Sequence, residues 1–201
     1  MLVMDLDDTL CEFVPNVVKR IKQMFDVEID VNLLSSSWLT DNLTDAQYRD
    51  LKSVLHTPVF YSSLRPVFST SLGFKLNNLR SNHDLEVTYI TGREHPLGEA
   101  AFTTTANWLA KHWFPSGDIQ VCHHNDNKVD LLPPNTRLVI EDSVHVAQAV
   151  ERQGLPVGLI DYPWNNHYTL RHPKSIRINP RDRRATETLL KYVQRMALKT
   201  V

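Results

Sequence analysis

The sequence predicts an α/β fold: a parallel β-sheet covered by helices on both faces. Two observations carry this. Short strand-like runs such as Leu85–Ile90, Thr136–Ile140 and Leu155–Ile160 alternate with amphipathic helical stretches along most of the chain. Strands separated by helices pair in parallel and must be covered on both sides. The second observation is where the polar residues fall. Asp5, Asp7, Thr91, Lys128, Glu141 and Asp142 all lie at the ends of predicted strands or in the loops that follow. In open parallel sheets that is the edge where ligands bind.

The elements follow in chain order. Met1-Leu2-Val3-Met4 is long enough for a buried strand and runs into Asp5-Leu6-Asp7-Asp8-Thr9-Leu10. Val14, Val17, Val18, Ile21, Met24 and Phe25 recur at helical spacing and predict an amphipathic helix. From Asp26 to about Tyr61 the pieces are short. One of them, Thr44 to Leu55, opens with a capping pattern and keeps helical spacing. These pieces read as small helices and loops outside the sheet. A helix is predicted from Leu64 to about Arg80, with Leu72, Leu76 and Leu79 on one side.

The strand Leu85–Ile90 ends in Thr91-Gly92-Arg93-Glu94, and a helix is predicted from Leu97 to Trp113. Ile119–Cys122 is a short strand, His123–Asn127 a polar loop, and Lys128–Leu132 a helical turn. The strand Thr136–Ile140 ends in Glu141-Asp142-Ser143 and precedes a helix from Val144 to Gln153 that Gly154 stops. Leu155–Ile160 is a further strand, Pro163–Asn166 starts a loop, and Arg183–Lys199 closes the chain as a helix.

Composition narrows the function classes. The chain has 201 residues, 42% hydrophobic and 22% charged, with a net charge of −1. That suits one globular domain with a modest insertion and gives no global field toward nucleic acid or membrane. The two cysteines, Cys11 and Cys122, form neither a disulfide framework nor a CxxC metal pattern. No run reaches the ~18 apolar residues of a membrane span. With no basic leader at the start of the sequence, the expectation is a cytoplasmic protein, of its own cell or of a host cell.

The chemistry-bearing islands are weak one at a time. Asp-Asp-Thr can be a turn or a helix cap, Thr-Gly-Arg a turn, and Glu-Asp-Ser a cap. Yet Asp5 and Asp7 alternate along an extended chain and can face the same way. Two carboxylates so close repel unless a positive charge sits between them, and a hard cation such as Mg²⁺ is the natural partner.

In order and chemistry together, the islands resemble the haloacid-dehalogenase-like hydrolase superfamily. Asp5-Leu6-Asp7-Asp8-Thr9 matches its first motif, Thr91 its second, Lys128 its third, and Glu141-Asp142 after Leu138-Val139-Ile140 its fourth. The resemblance spans about residues 1–165. It implies a Rossmann-like three-layer α/β/α core (1–13 and 63–201) with a small helical cap (14–62) inserted after the first strand. It also implies that Asp5 is a nucleophile forming an aspartyl-phosphate and that Asp7 is the general acid and base. Thr91 and the following amides, Gly92 among them, would bind phosphoryl oxygens, and Lys128 would neutralise charge around Asp5. Mg²⁺ would be held by Asp5, the Asp7 carbonyl and Asp142, with Glu141 directly or through water. An acid at Asp7 separates phosphatases of the superfamily from its dehalogenases.

Within the superfamily the chain resembles the 5′(3′)-deoxyribonucleotidases, through Phe13, the Phe60-Tyr61 pair with Leu64 and Pro66, and Asp161-Tyr162-Pro163-Trp164-Asn165. It departs from them at Asp8-Thr9, where members carry Gly-Val, and at Glu141-Asp142-Ser143, where they carry Asp-Asp-Arg. Phe13, Trp38, Phe60 and Tyr61 either stack a nucleobase or pack the cap. Arg93 either binds phosphate or sugar, or pairs with Glu94. His123-His124 lacks further ligands at zinc spacing and reads as a loop facing the site.

The expected partner is therefore a small phosphate ester, a nucleotide first, with a homodimer left open. Rival readings are a phosphatase for sugar phosphates or nucleic-acid ends, and a binding module without catalysis. The basic cluster Arg177, Arg181, Arg183 and Arg184 gives the nucleic-acid reading its opening, although a solvated helix start explains it more simply.

Overall fold

The computed structural model describes residues 1–34, 43–123 and 128–198. Trp38 and His124 lie outside the described residues. Six parallel strands form one sheet, in the order β3-β2-β1-β4-β5-β6. They are β1 (Leu2–Met4), β2 (Val87–Thr91), β3 (Asp118–Val121), β4 (Leu138–Glu141), β5 (Val157–Ile160) and β6 (Ile176–Ile178). β1 sits in the middle, with Met4 beside Tyr89 of β2 and beside Ile140 of β4. The chain winds one way from β1 to β2 and β3, then crosses back to β4, β5 and β6. The reversal leaves a crevice at the carboxyl ends of β1, β2 and β4, where such sheets bind ligands.

Both faces of the sheet are covered, because neighbouring strand residues point to opposite sides. Leu2 and Met4 of β1 and Leu138 and Ile140 of β4 join one apolar cluster. Val3 and Val139 join a second. The first is filled by helices α4 (Ser71–His83), α6 (Ala100–Lys111) and α8 (Ala185–Ala197), the second by α7 (Val144–Arg152).

Between β1 and α4 stand α1 (Val14–Phe25), α2 (Asp45–Leu55) and α3 (Pro58–Ser63). Val17 and Ile21 of α1 and Leu51 and Leu55 of α2 are buried in the first cluster, so this insert shares apolar packing with the core. Among the described residues, no helix is long and apolar enough to cross a membrane.

Three sequence expectations change. The helix expected from Leu64 begins at Ser71. Pro66 bars a helical conformation at Arg65, and residues 65–67 instead bond to the loop after β1, through Glu12 N–H to Arg65 O and Val67 N–H to Leu10 O. The helix expected from Leu97 to Trp113 is two, α5 (Glu94–Leu97) and α6, divided at Gly98, whose φ of +53° favours glycine. Strand β6 was not expected. Three residues, Ile-Arg-Ile, in polar surroundings give too short a period to read.

Candidate active site

Asp5 follows the last residue of β1, and its N–H donates to Ile140 O, which fixes it beside the end of β4. Thr91 ends β2 and Glu141 ends β4. Lys128 opens a short helical turn, and its Nζ lies 2.7 Å from Asp5 Oδ1 and 3.3 Å from Glu141 Oε2. The second oxygen of Glu141 accepts the N–H groups of Asp142 and Ser143, at 3.2 and 3.1 Å. Asp142 is held by Trp164, whose Nε1 donates to Oδ2 at 3.3 Å, and by Thr9, whose hydroxyl lies 3.5 Å from Oδ1. Asn165 donates to Asp142 O and to Ile160 O, pinning this loop to the end of β5.

Oxygens of Asp5, Glu141 and Asp142 all lie within 4.8 Å of one another. The sheet therefore gathers three carboxylates against one lysine. Burial is the largest effect on Asp5 and pushes its carboxyl up to about 7, with the Glu141 charge adding and Lys128 opposing. Asp142 is likewise pushed up to about 7, by burial and then by Asp5. Glu141 is raised by burial against the pull of Lys128. Lys128 stays charged, because the neighbouring acids outweigh its desolvation. An excess of buried negative charge built only of hard oxygen donors fits a divalent cation such as Mg²⁺.

Asp7 points to a different partner. Its Oδ1 lies 2.6 Å from Arg93 Nη2, and its Oδ2 accepts Arg93 Nε at 3.1 Å. Arg93 thus pairs with Asp7 and not, as the sequence left open, with Glu94. It is fully buried and its guanidinium nitrogens are taken up by Asp7 and Thr105, which leaves no donor turned to a phosphate or sugar. Asp8 turns inward, its carboxylate accepting the N–H groups of Phe13 and Val14.

Thr91 Oγ1 is buried and has no hydrogen-bond partner among the described residues. Phe13 stacks on Tyr61 at 5.8 Å between ring centroids, and Phe60 stands edge-on to both. Phe13, Tyr61 and Gly92 line a cavity of about 360 Å³, together with His56, His95 and His123. Phe60 does not line it, and Phe60 and Tyr61 both belong to the first apolar cluster. Phe13 also lines a second cavity of about 570 Å³ that reaches Asp8, Asp142 and Trp164. A further cavity of about 650 Å³ lies at the opposite ends of the strands, beside Met1 and Thr88, away from these groups.

Sequence reasoning did not assign roles to Trp164, Asn165, His56 or His95. Trp164 and Asn165 belong to the Asp161–Asn165 stretch already singled out, but nothing in it signals Asp142 as their partner. Arg177 leaves the expected basic cluster: it lies in β6, ion-pairs with Asp161 and donates to the carbonyls of Asn165 and Tyr168.

This sheet order, with a carboxylate after the central strand and an acidic pair after its neighbour, agrees with the haloacid-dehalogenase-like resemblance of the sequence. Solved structures agree on the fold. A haloacid dehalogenase-like hydrolase family protein from Streptococcus pneumoniae superposes with a TM-score of 0.59 at 16% identity, covering 96% of this chain and 97% of that one. A putative β-phosphoglucomutase from Thermotoga maritima gives 0.50 at 13% identity, covering 94% and 98%. CbbY from Rhodobacter sphaeroides, solved in complex with phosphate, gives 0.50 at 15%, covering 88% and 91%. No curated protein matches the sequence. The family described as 5′ nucleotidase, deoxy (Pyrimidine), cytosolic type C protein matches residues 1–175, and the chain belongs to it.

Proposed function

We propose that the protein is a Mg²⁺-dependent phosphomonoesterase that hydrolyses a nucleotide, a deoxynucleotide first, through an aspartyl-phosphate on Asp5. The observation that carries this reading is the position of Asp5, ion-paired to Lys128 at 2.7 Å and gathered with Glu141 and Asp142 at the switch point of the sheet. The family match favours a nucleotide over a sugar phosphate. Its cytosolic description favours the cytoplasm.

The chemistry follows from the groups present. A phosphate monoester is an anion and repels a carboxylate nucleophile. Asp5, the Asp7 carbonyl and Asp142 would hold Mg²⁺, with Glu141 directly or through water, and the ion would supply the positive charge that lets the two approach. Asp5 attacks phosphorus, a P–O bond to its carboxylate forms, and the bond to the leaving oxygen breaks. Asp7, entering the step protonated, gives that oxygen its proton and is left as a carboxylate. In the second half Asp7 takes a proton from water, the water oxygen attacks phosphorus, and Asp5 leaves as a carboxylate, so inorganic phosphate is released. The Thr91 hydroxyl donates to a phosphoryl oxygen, and Lys128 offsets the charge around Asp5. The insert 14–62 acts as a cap that limits water, with Phe13 and Tyr61 in the wall against the nucleoside.

The test is a panel of 5′- and 3′-deoxyribonucleotides, ribonucleotides and sugar phosphates, with p-nitrophenyl phosphate as a general ester, in Mg²⁺ and in chelator. Turnover in Mg²⁺, strongest on nucleotides and abolished in Asp5→Asn, is expected. An active Asp5→Asn removes the nucleophile assignment. Turnover of sugar phosphates alone removes the nucleotide, and no turnover of any ester leaves a binding module.

A further inference from the structure

We propose that Arg93 is the positioning residue of Asp7, setting the orientation in which that carboxylate meets the leaving oxygen without itself touching substrate. The inference rests on the phosphatase reading above and goes beyond it. A guanidinium that bridges both oxygens of a carboxylate fixes its rotation as well as its place, which a single donor does not. Arg93 does this through Nη2 to Oδ1 and Nε to Oδ2, at 2.6 and 3.1 Å.

Arg93 is itself anchored from three further directions. Its Nη1 donates to Thr105 Oγ1 at 3.3 Å, its Nη2 lies 3.1 Å from Cys11 Sγ, and its Cζ stands 4.8 Å over the Tyr61 ring. Burial separates the two members of the pair. The Arg93 side chain is 0% exposed, whereas the Asp7 side chain keeps 26%. A ligand entering the site meets Asp7 and never Arg93. Tyr61 and Cys11, both buried, pack against the guanidinium.

The leaving group makes the test specific. p-Nitrophenolate departs without a proton, while the alkoxide of a nucleoside needs one, so only the second substrate depends on a well-aimed Asp7. Arg93→Lys, which keeps the charge but cannot bridge, is compared with wild type on thymidine 5′-monophosphate and on p-nitrophenyl phosphate, by kcat/KM. The expected result is a loss of about 10²-fold on the nucleotide, the scale of a misplaced acid, and a much smaller loss on the aryl ester. In an Asp7→Asn background the same substitution adds nothing, because groups that act as a unit are not additive.

Thr105→Val, which loosens Arg93 without removing it, shows the same selectivity to a smaller extent and serves if Arg93→Lys does not fold. Equal losses on both substrates, or a full further loss in the Asp7→Asn background, overturn the inference and leave the phosphatase reading intact. A rise in KM on both substrates with kcat unchanged overturns it in favour of substrate binding. A wild-type protein that hydrolyses neither ester overturns the phosphatase reading, and this inference with it.

Discussion

Val14 donates its backbone N–H to both oxygens of Asp8, at 2.9 and 3.1 Å. Phe13 N–H joins it at 3.0 Å. Asp8 thereby satisfies donors at the start of α1 that have no partner inside the helix. The residue also holds a φ of +55°, a left-handed conformation that Gly or Asp tolerates better than most residues. Glycine here would meet the backbone requirement alone, and Asp8 adds a cap to it. The cap carries a burden, since burial and the Asp142 charge push the Asp8 carboxyl well above its usual range.

Asp8→Asn is therefore expected to stabilise the protein. An amide oxygen still accepts from Phe13 and Val14, asparagine still tolerates the left-handed backbone, and the charge facing Asp142 is gone. A gain of about 1 kcal/mol would raise Tm by roughly 2–4 °C in a chain of this size. The gain is larger at pH 8 than at pH 5, because a carboxyl raised by folding opposes stability more as it is forced to ionise. Thermal melts at the two pH values in chelator check this, and an unchanged or lower Tm at pH 8 counts against the capping account.

Chelator should also make the wild type sensitive to pH in a defined direction. Asp5 and Asp142 are raised from 3.8 to about 7 in the folded state. Between those values the folded protein holds more protons than the unfolded chain, so stability falls as pH rises from about 4 to about 7. A divalent cation binds the ionised carboxylates and stabilises the fold by mass action. The expected outcome is a Tm in chelator that drops between pH 5 and pH 8, and a gain on adding Mg²⁺ that is larger at pH 8. Melts at several Mg²⁺ concentrations measure both.

Much of this site was legible in the sequence, and the reason is geometric. Residues that end consecutive parallel strands are carried to one edge by the topology, so the order of Asp5, Thr91 and Glu141-Asp142 along the chain already implied their convergence. Partners that meet only through side-chain reach were not legible. Asp7 and Arg93 are 86 positions apart, and nothing local to Arg93 distinguishes Asp7 from the adjacent Glu94. Trp164 finds Asp142 from 22 positions away for the same reason. The misplaced start of α4 has a different cause: apolar spacing ran through Pro66, whose effect on Arg65 outweighed it. β6 failed on length alone.

Asp5→Asn should remove activity and Asp7→Asn lower kcat/KM on the nucleotide, while the two move stability in opposite directions. Neutralising Asp5 relieves a buried carboxylate crowded by Glu141 and Asp142, so its Tm in chelator rises at pH 8. Neutralising Asp7 leaves the buried Arg93 without its anion. Breaking a fully buried pair costs about 3–5 kcal/mol, and the partial exposure of Asp7 brings this to about 2 kcal/mol. Two melts beside two activity assays are enough. A fall in Tm for Asp5→Asn would show that Lys128 depends on Asp5 more than the carboxylates repel one another.

Thr91 offers a similar separation of stability from activity. Its hydroxyl is sealed at the end of β2 with no partner among the described residues, which is a cost to the folded state. Valine has the same shape without the polar atom, and a strand position suits it. Thr91→Val should therefore hold or raise stability, by up to about 1 kcal/mol. If that hydroxyl donates to a phosphoryl oxygen, the same substitution lowers kcat/KM on nucleotide by about 10²-fold, the scale of a lost donor to developing negative charge. A stable variant with unimpaired turnover would assign the buried hydroxyl no part in the reaction, and phosphate contact at this edge would then fall to the backbone amides after Thr91.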